Sequence, residues 1–370
     1  MNRSGKEAGF SGLRQVWPMP AHPKPVVIIG AGGIVRDAHL PAYRKWGIPV
    51  AGLHDRDRQR AASLAAANDV PRVFDTLDAA IAAGTHIFDI ALPPEALRDV
   101  LPRLPEGCAA LVQKPLGTSL DDARHLIRVL EERNITAALN FQMRFTPSML
   151  AVSDALKRGE LGEITDIDVS LSCRTPWEEW PFMKKLEAVE IPLHSIHYLD
   201  WIAANAGLPR AVYARSVPHP EHPDLADARS SIILDYDRPV RCSLSLNHVH
   251  KWGSDNERAE MRIEGTKGAA IVGLGYNVNF PLGRPETLLM VRKGGSWRTV
   301  TLEGARVPDS FAFVMANLQR YLAGEDTQLP TGLDSSLRTM ALVQACLNSS
   351  RTRRAVELDS VGPPGTHMQA

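Results

Sequence analysis

Two side chains stand where the sequence could use them for proton and hydride chemistry. Lys114 sits in Gln113-Lys114-Pro115, directly after the apolar run Ala110–Val112. A proline disfavours helix in the residue before it, so Lys114 is expected to stay extended at the end of a strand. Its ammonium can bind a substrate oxygen, and a cationic ring beside it lowers its basicity. His197 sits in the stretch 191–201, IPLHSIHYLDW, where Leu193, Ile196 and Leu199 recur at helical spacing and His194, His197 and Trp201 form a second stripe. Asp200 falls one turn beyond His197, a neighbour able to orient the ring. An imidazole held in this way accepts a hydroxyl proton near neutral pH. Paired histidines also ligate zinc, but no convincing ligand set is completed nearby, and no metal is expected. His248 and His250, on one face of a strand, and His219 with His222 in a Pro-rich loop read as surface residues.

A phosphate-binding turn precedes this pair. Residues 26–35, VVIIGAGGIV, run from an apolar strand through glycines into a helix. Gly30 permits a tight turn, and Gly32 lets the backbone approach a pyrophosphate, which the helix N-terminus then receives. Val35 occupies the place of the usual third glycine, so looser packing of strand and helix is expected there. Gly33, Ile34 and Val35 complete the candidate turn contacts. The next strand ends at Asp55, close to the offset at which a carboxylate meets the adenosine ribose. Such a carboxylate favours NAD, whereas Arg56 beside it leaves NADP open; Asp55 as a simple cap of the next helix is the plainer alternative. Ala91-Leu92-Pro93-Pro94 follows the strand Ile87–Ile90, and its prolines turn the chain beneath a nicotinamide.

These groups need a scaffold that brings strand ends together. Apolar runs at Val26–Ile29, Val50–Leu53, Ile87–Leu92, Ala110–Val112 and Thr136–Asn140 alternate with amphipathic stretches such as Arg58–Ala67 and Leu120–Arg133. That alternation implies βαβ units and a parallel sheet with ligands at its carboxyl edge. Beyond residue 160 the pattern shifts to strands with one solvated face: Ile164–Ser172, Ala211–Val217, Ser230–Leu234, Arg241–Leu246, Arg258–Ile263 and Leu288–Arg292. The helices Leu193–Ala206, Ser310–Leu322 and Leu333–Ser350 accompany them. A chain of 370 residues exceeds one comfortable core, so two domains are expected.

Composition narrows the partners. The 42 basic and 42 acidic residues cancel, which removes the footprint of a nucleic-acid or anionic-membrane binder. No stretch approaches the roughly 18 apolar residues of a membrane span. Residues 1–24 lack the apolar segment of a secretory signal and read as a flexible extension. Cys108, Cys173, Cys242 and Cys346 form no CxxC pair, as free thiols in a reducing cytoplasm would.

The motifs GAGGIVRDAHLPAY, QKP, NFQMRFTP, LKRGELGEI, HxxD at His197–Asp200 and MRIEGTKGAA occur in this order from about Pro25 to Leu358. In this the chain resembles the glucose–fructose oxidoreductase, inositol dehydrogenase and MocA family. The resemblance implies an α/β protein with a Rossmann domain at 25–145. A substrate-binding and oligomerisation α+β domain at 146–358, built on an open, mainly antiparallel sheet, would follow, with a tail at 359–370. It also implies a nicotinamide cofactor, a sugar or polyol between the domains, and a homodimer or homotetramer through the second sheet. Lys114 matches the family lysine that contacts the reacting hydroxyl, and His197 its catalytic histidine. Gln113 stands where the family has Glu, which lets Lys114 titrate lower, and Leu193 stands where many members carry Asp, a gap that His194 is expected to fill. Asn140 and Gln113 join the cofactor contacts. On the substrate side stand Arg144 and, in the overhanging segment RTPWEEWPF, Arg174, Trp177 and Trp180. The two indoles suit either a sugar face or packing. A sugar or polyol dehydrogenase is the expected function. Glycoside cleavage through transient oxidation and a non-catalytic NAD(P)-binding sensor are the alternatives.

Overall fold

The computed structural model describes residues 10–84 and 87–361. Short apolar runs form β1 (Val26–Ile29), β2 (Val50–His54), β3 (Ile87–Ile90), β4 (Ala109–Val112) and β5 (Thr136–Leu139). They pair in parallel in the order β2-β1-β3-β4-β5. Every residue of β1, β3 and β4 is buried, as strands covered on both faces must be. The covering helices are α1 (Leu40–Trp46), α2 (Arg58–Ala67), α3 (Leu77–Ile81), α4 (Leu97–Val100) and α5 (Leu120–Glu132). Side-chain oxygens of Asp57, Thr76 and Ser119 accept amide hydrogens in the first turns of α2, α3 and α5, which fixes where each begins. In this order the chain reverses direction across the sheet between β1 and β3, so their carboxyl ends open a crevice for a ligand.

After α6 (Pro147–Lys157) the chain builds a second sheet from β6 (Ile164–Ser172), β7 (Ala211–Val217), β8 (Arg229–Asp235), β9 (Arg241–Asn247) and β10 (Arg258–Gly265). The remaining strands are β11 (Gly268–Gly273), β12 (Thr287–Arg292), β13 (Arg298–Thr299) and β14 (Val356–Glu357). Their order is β13-β12-β11-β10-β6-β9-β8-β7-β14; β6 and β9 run parallel and the other neighbours antiparallel. Along β8, Ser230, Ile232 and Leu234 are buried while Ser231, Ile233 and Asp235 are exposed, the two-residue period of a sheet with one covered face. Helices α7 (Ile196–Ala206) and α9 (Leu333–Thr352) lie on that covered side. No helix among the described residues is long and apolar enough to cross a membrane.

The structure departs from the sequence reading in four places. Strands β3 and β5 stop at Ile90 and Leu139, so Leu92 and Asn140 lie in the loops that leave the sheet edge. Strands β11, β13 and β14 are additional: β13 and β14 are two residues each, and the glycines and alanines of β11, GAAIVG, give no legible alternation, so only pairing with β10 and β12 defines it. Helix α8 (Asp309–Leu322) returns to the first sheet although it belongs to the second half of the chain. Phe311, Phe313, Val314, Met315 and Leu318 join one core with Val26, Ile28 and Leu111, so the second half of the chain contributes to the core of the first sheet. Asp309 anchors that return: it is fully buried and accepts from Trp46 Nε1 at 2.8 Å and Ala305 N at 2.9 Å, with Lys45 Nζ 2.6 Å away.

The fourth departure is the extension. Residues 1–9 lie outside the described residues, but residues 10–24 form a fixed strap. Gln15 exchanges hydrogen bonds with Thr301 O and Glu303 N, and Lys24 N donates to Gln319 Oε1. Trp17 donates to Asp326 Oδ2 at 2.8 Å and meets Phe145 edge-on at 5.1 Å. Apolar Phe10, Leu13, Trp17 and Met19 supply the burial that a composition rich in Gly and Pro conceals. Trp17→Ala should therefore lower stability by about 2 kcal/mol, less than a fully buried indole is worth. A thermal unfolding midpoint followed by circular dichroism checks this, and an unmoved midpoint would mean that the strap is loose.

Candidate active site

The glycine turn is shaped for close backbone approach. Gly30 has φ +110°, and a Cβ there would lie 2.3 Å from Ala91 O, so no other residue fits where β1 leaves the sheet beside β3. A Cβ on Gly32 would meet nothing within 4 Å, which leaves an open cradle above the turn. Asp55, at the tip of β2, accepts from Ala31 N at 2.7 Å and from Asp57 N at 2.8 Å, and Arg60 lies 3.3 Å away. Its carboxylate thus faces the turn, and Asp57, not Asp55, caps α2. Arg56 is exposed and points into solvent beside it. Leu92 lies against Gly30, and Pro93 is exposed before a 3-10 turn at Pro94–Ala96. Open cradle, ribose-side carboxylate and switch-point crevice together fit a dinucleotide.

Lys114 and His197 come together at the carboxyl edge of this sheet. Lys114 Nζ donates to Leu193 O at 2.6 Å, one helical turn before His197. Burial, and then the nearby Arg306 guanidinium, bring the Lys114 pKa down to about 8. Burial, then Lys114 and Arg306, hold His197 well below the usual imidazole range, so its ring is neutral. His197 Nδ1 is buried with no hydrogen-bond partner. Residues Ile191–Ser195 before α7 form a π-helical turn, a local break in the helical ladder common at functional sites.

Two buried polar networks flank the pair. On the cofactor side His39 Nδ1 lies 2.6 Å from Asp89, which also accepts from the Tyr43 hydroxyl at 2.7 Å. The amide groups of Gln113 and Asn140 each lie 3.2 Å from His39 Nε2, so that nitrogen accepts and Nδ1 donates. Asn140 Oδ1 is left buried and unpaired, an acceptor available to an amide ligand. On the substrate side His194 lies tilted against His248 at 4.3 Å and meets Trp177 edge-on at 5.5 Å. Burial, His248 and Lys114 keep His194 well below its usual pKa, and its Nε2 is unpaired. Glu190, fully buried, accepts from Ser195 Oγ at 2.9 Å and lies 3.5 Å from His248. Burial opposes charge on His248, yet Cys173 and Glu190 raise its pKa to about 9.

Several expected residues are placed elsewhere. Val35 is completely buried, and its amide donates to Gly32 O, so it offers a ligand nothing; it opens a π-helical turn at Val35–His39. Asp200 does not orient His197. It is buried in a two-point ion pair with Arg144, 2.5 Å on each arm, and accepts from Thr339 at 3.0 Å. Arg144, expected on the substrate side, bonds Asp200, Pro330 O and Ser335 and braces these segments. Arg174 is exposed and pairs with Glu178 at 2.6 Å. Trp177 is core, with its indole N–H donating to His248 O, whereas Trp180 Nε1 lies by Gly33, on the cofactor side. His248 is buried, not a surface residue, because β9 ends by carrying it under Trp177. Ile34 is exposed at the mouth of the cradle. Unforeseen from sequence were His39, Asp89, Glu190 and Arg306: the first two carry only the look of ordinary helix and strand residues, and Arg306 lies in a stretch without periodicity.

Residues 24–141 match the family model described as an oxidoreductase family with an NAD-binding Rossmann fold, and residues 153–358 match its C-terminal alpha/beta domain. A D-apiose dehydrogenase of Paraburkholderia graminis is 25% identical over 354 residues, covering 90% of this chain and 89% of that protein. A D-xylose 1-dehydrogenase (NADP(+)) of Haloferax volcanii is 24% identical over 337 residues, covering 90% and 99%. An oxidoreductase from Agrobacterium radiobacter, solved with NAD+, L-tartaric acid and magnesium, shares the fold at TM-score 0.77 and 22% identity over 92% of this chain and 99% of that one. The chain belongs to the glucose–fructose oxidoreductase, inositol dehydrogenase and MocA family of oxidoreductases, with its NAD-binding Rossmann domain and its C-terminal α/β domain.

Proposed function

We propose that this chain is an NAD(P)-dependent dehydrogenase acting on a secondary or anomeric hydroxyl of a sugar, polyol or related carbohydrate. The observation that carries the reading is the meeting of Lys114 and His197 at the carboxyl edge of the first sheet, whose glycine turn is open to close backbone approach. The D-apiose and D-xylose dehydrogenases among its relatives agree with it. Gly30, Gly32, Gly33, Asp55 and the loop at Leu92 would hold the dinucleotide, with Gln113 and Asn140 at its reactive end. When bound, the cofactor supplies the hydride acceptor.

The side chains do the rest. Lys114 keeps N–H donors beyond the one given to Leu193 O, and its ammonium polarises the substrate oxygen. His197, neutral and without a partner on Nδ1, takes the hydroxyl proton. His194, held against His248 and Trp177, presents its unpaired Nε2 to the same space. We place the enzyme in the cytoplasm, in keeping with four buried free thiols. A homodimer or homotetramer would form through the outer face of the second sheet, where Tyr213 and Ile233 are exposed.

Three measurements test this reading. Lys114→Ala should lower kcat by roughly 10²–10⁴ with a panel of aldoses and polyols, while NADH binding by fluorescence is retained; normal turnover would remove Lys114 from the mechanism. In the direction of oxidation kcat/KM should fall as pH rises through about 8, where Lys114 loses its proton, with His197 already neutral throughout. A profile that climbs through pH 8 would instead make Lys114 the proton acceptor. Asp55→Asn keeps a hydrogen-bond acceptor for Ala31 N but drops the charge that repels a 2′-phosphate. It should shift the ratio of kcat/KM toward NADP by about tenfold, or about 1.4 kcal/mol.

A further inference from the structure

Arg306, in the segment between β13 and α8, is 8% exposed and faces the crevice. Its Nη1 donates to Asn277 Oδ1 at 3.3 Å, and its guanidinium lies 5.7 Å from the Tyr276 ring centroid. Asn277 Nδ2 in turn donates to the Tyr198 hydroxyl at 3.2 Å, and Tyr198 follows His197 on α7. This chain of contacts fixes the guanidinium beside the reacting pair, close enough that it depresses the basicity of both Lys114 and His197. Among the described residues no carboxylate stands within ion-pair distance of it, and Asn277 is its one hydrogen-bond partner. Glu286 feels its field, but burial raises the pKa of that carboxyl, and Ser148 holds its Oε1 at 2.7 Å. The residues flanking the reacting pair, Gln113 and Leu193, carry no charge.

A buried guanidinium without a counter-ion is expensive to maintain. Here two cations line one crevice, and a bound oxidised nicotinamide adds a third positive charge. A neutral sugar would leave all of them uncompensated. We propose that the substrate is an acidic sugar, an aldonate or uronate, whose carboxylate pairs with Arg306 while its hydroxyl lies under Lys114 and His197. The planar fork of Arg306 suits a carboxylate at two points, and that pairing fixes which carbon is presented for oxidation. The inference rests on the dehydrogenase reading and supplies its substrate class.

The test is calorimetric titration of the full-length chain loaded with NADH. The ligands are near-isosteric pairs that differ in charge: D-gluconate against D-glucitol and D-galacturonate against D-galactose, with D-glucose 6-phosphate as a phosphate arm. At least one acid should bind about 100-fold tighter than its neutral partner. In Arg306→Met that advantage should fall below about fivefold, and in Arg306→Lys, which keeps a point charge, it should survive in part. NADH affinity measured on each variant reports that the site is still folded. Equal binding of acid and neutral partners, binding of the phosphate alone, or an advantage that persists in Arg306→Met overturns the proposal. Failure of the underlying reading looks different: acids bind through Arg306, yet no NADH forms with NAD and any of these sugars.

Discussion

The proposed catalytic arrangement depends on one hydrogen bond across two parts of the chain, from Lys114 Nζ to Leu193 O at 2.6 Å. Lys114 is delivered by the edge of the first sheet and Leu193 by the π-helical turn that leads into α7. A neutral carbonyl satisfies one donor of the ammonium without neutralising it. The charge is therefore kept, and the burial around it reduces the screening of its action on an oxygen placed nearby. A carboxylate partner would have fixed the lysine equally well, but it would have raised its pKa and cancelled its field. Burial, Arg306 and the absence of such a partner all push the other way.

Holding a lysine, two histidines and an arginine in one place requires rigid surroundings, and the structure supplies them as closed polar networks. His39, Asp89 and Tyr43 pin the amides of Gln113 and Asn140 beneath the cofactor side. Glu190, Ser195, His248 and Thr175 do the same beneath His194. In a low-dielectric interior such networks fix side-chain orientation because each unpaired alternative is costly. Of the nine buried side-chain atoms left unpaired among the described residues, three, Asn140 Oδ1, His194 Nε2 and His197 Nδ1, belong to residues of the proposed site.

The two sheets are bound together by segments that cross between them. Helix α8 leaves the second half of the chain to fill the first core, and Asp309 fastens its start to Lys45 and Trp46. The strap at residues 10–24 ties α8 to the segment around Thr301. Arg144 and Asp200 join α7 to the loops before α6 and α9. The crevice is thereby held between parts that cannot separate without breaking buried ion pairs.

The elements were legible in the sequence because their signals are local. Continuous apolar runs bounded by Gly and Pro marked β1 and β4, and α2 kept the bounds that periodicity assigned. The glycine turn with Asp55, and the Lys114-Pro115 step, are likewise short-range patterns whose chemistry follows from residue type. What each polar side chain pairs with was not legible, since partners come from distant segments. Asp200 looked like a neighbour of His197 at helical spacing, but Arg144, 56 residues earlier in the chain, offered two charge-assisted bonds and took it. His248 looked exposed until packing placed Trp177 and His194 over it. Arg306 had no pattern at all. Sequence determined which residues could do chemistry; only the tertiary structure decided which were left free to do it, because hydrogen-bond capacity is finite and is claimed first by the nearest buried partner.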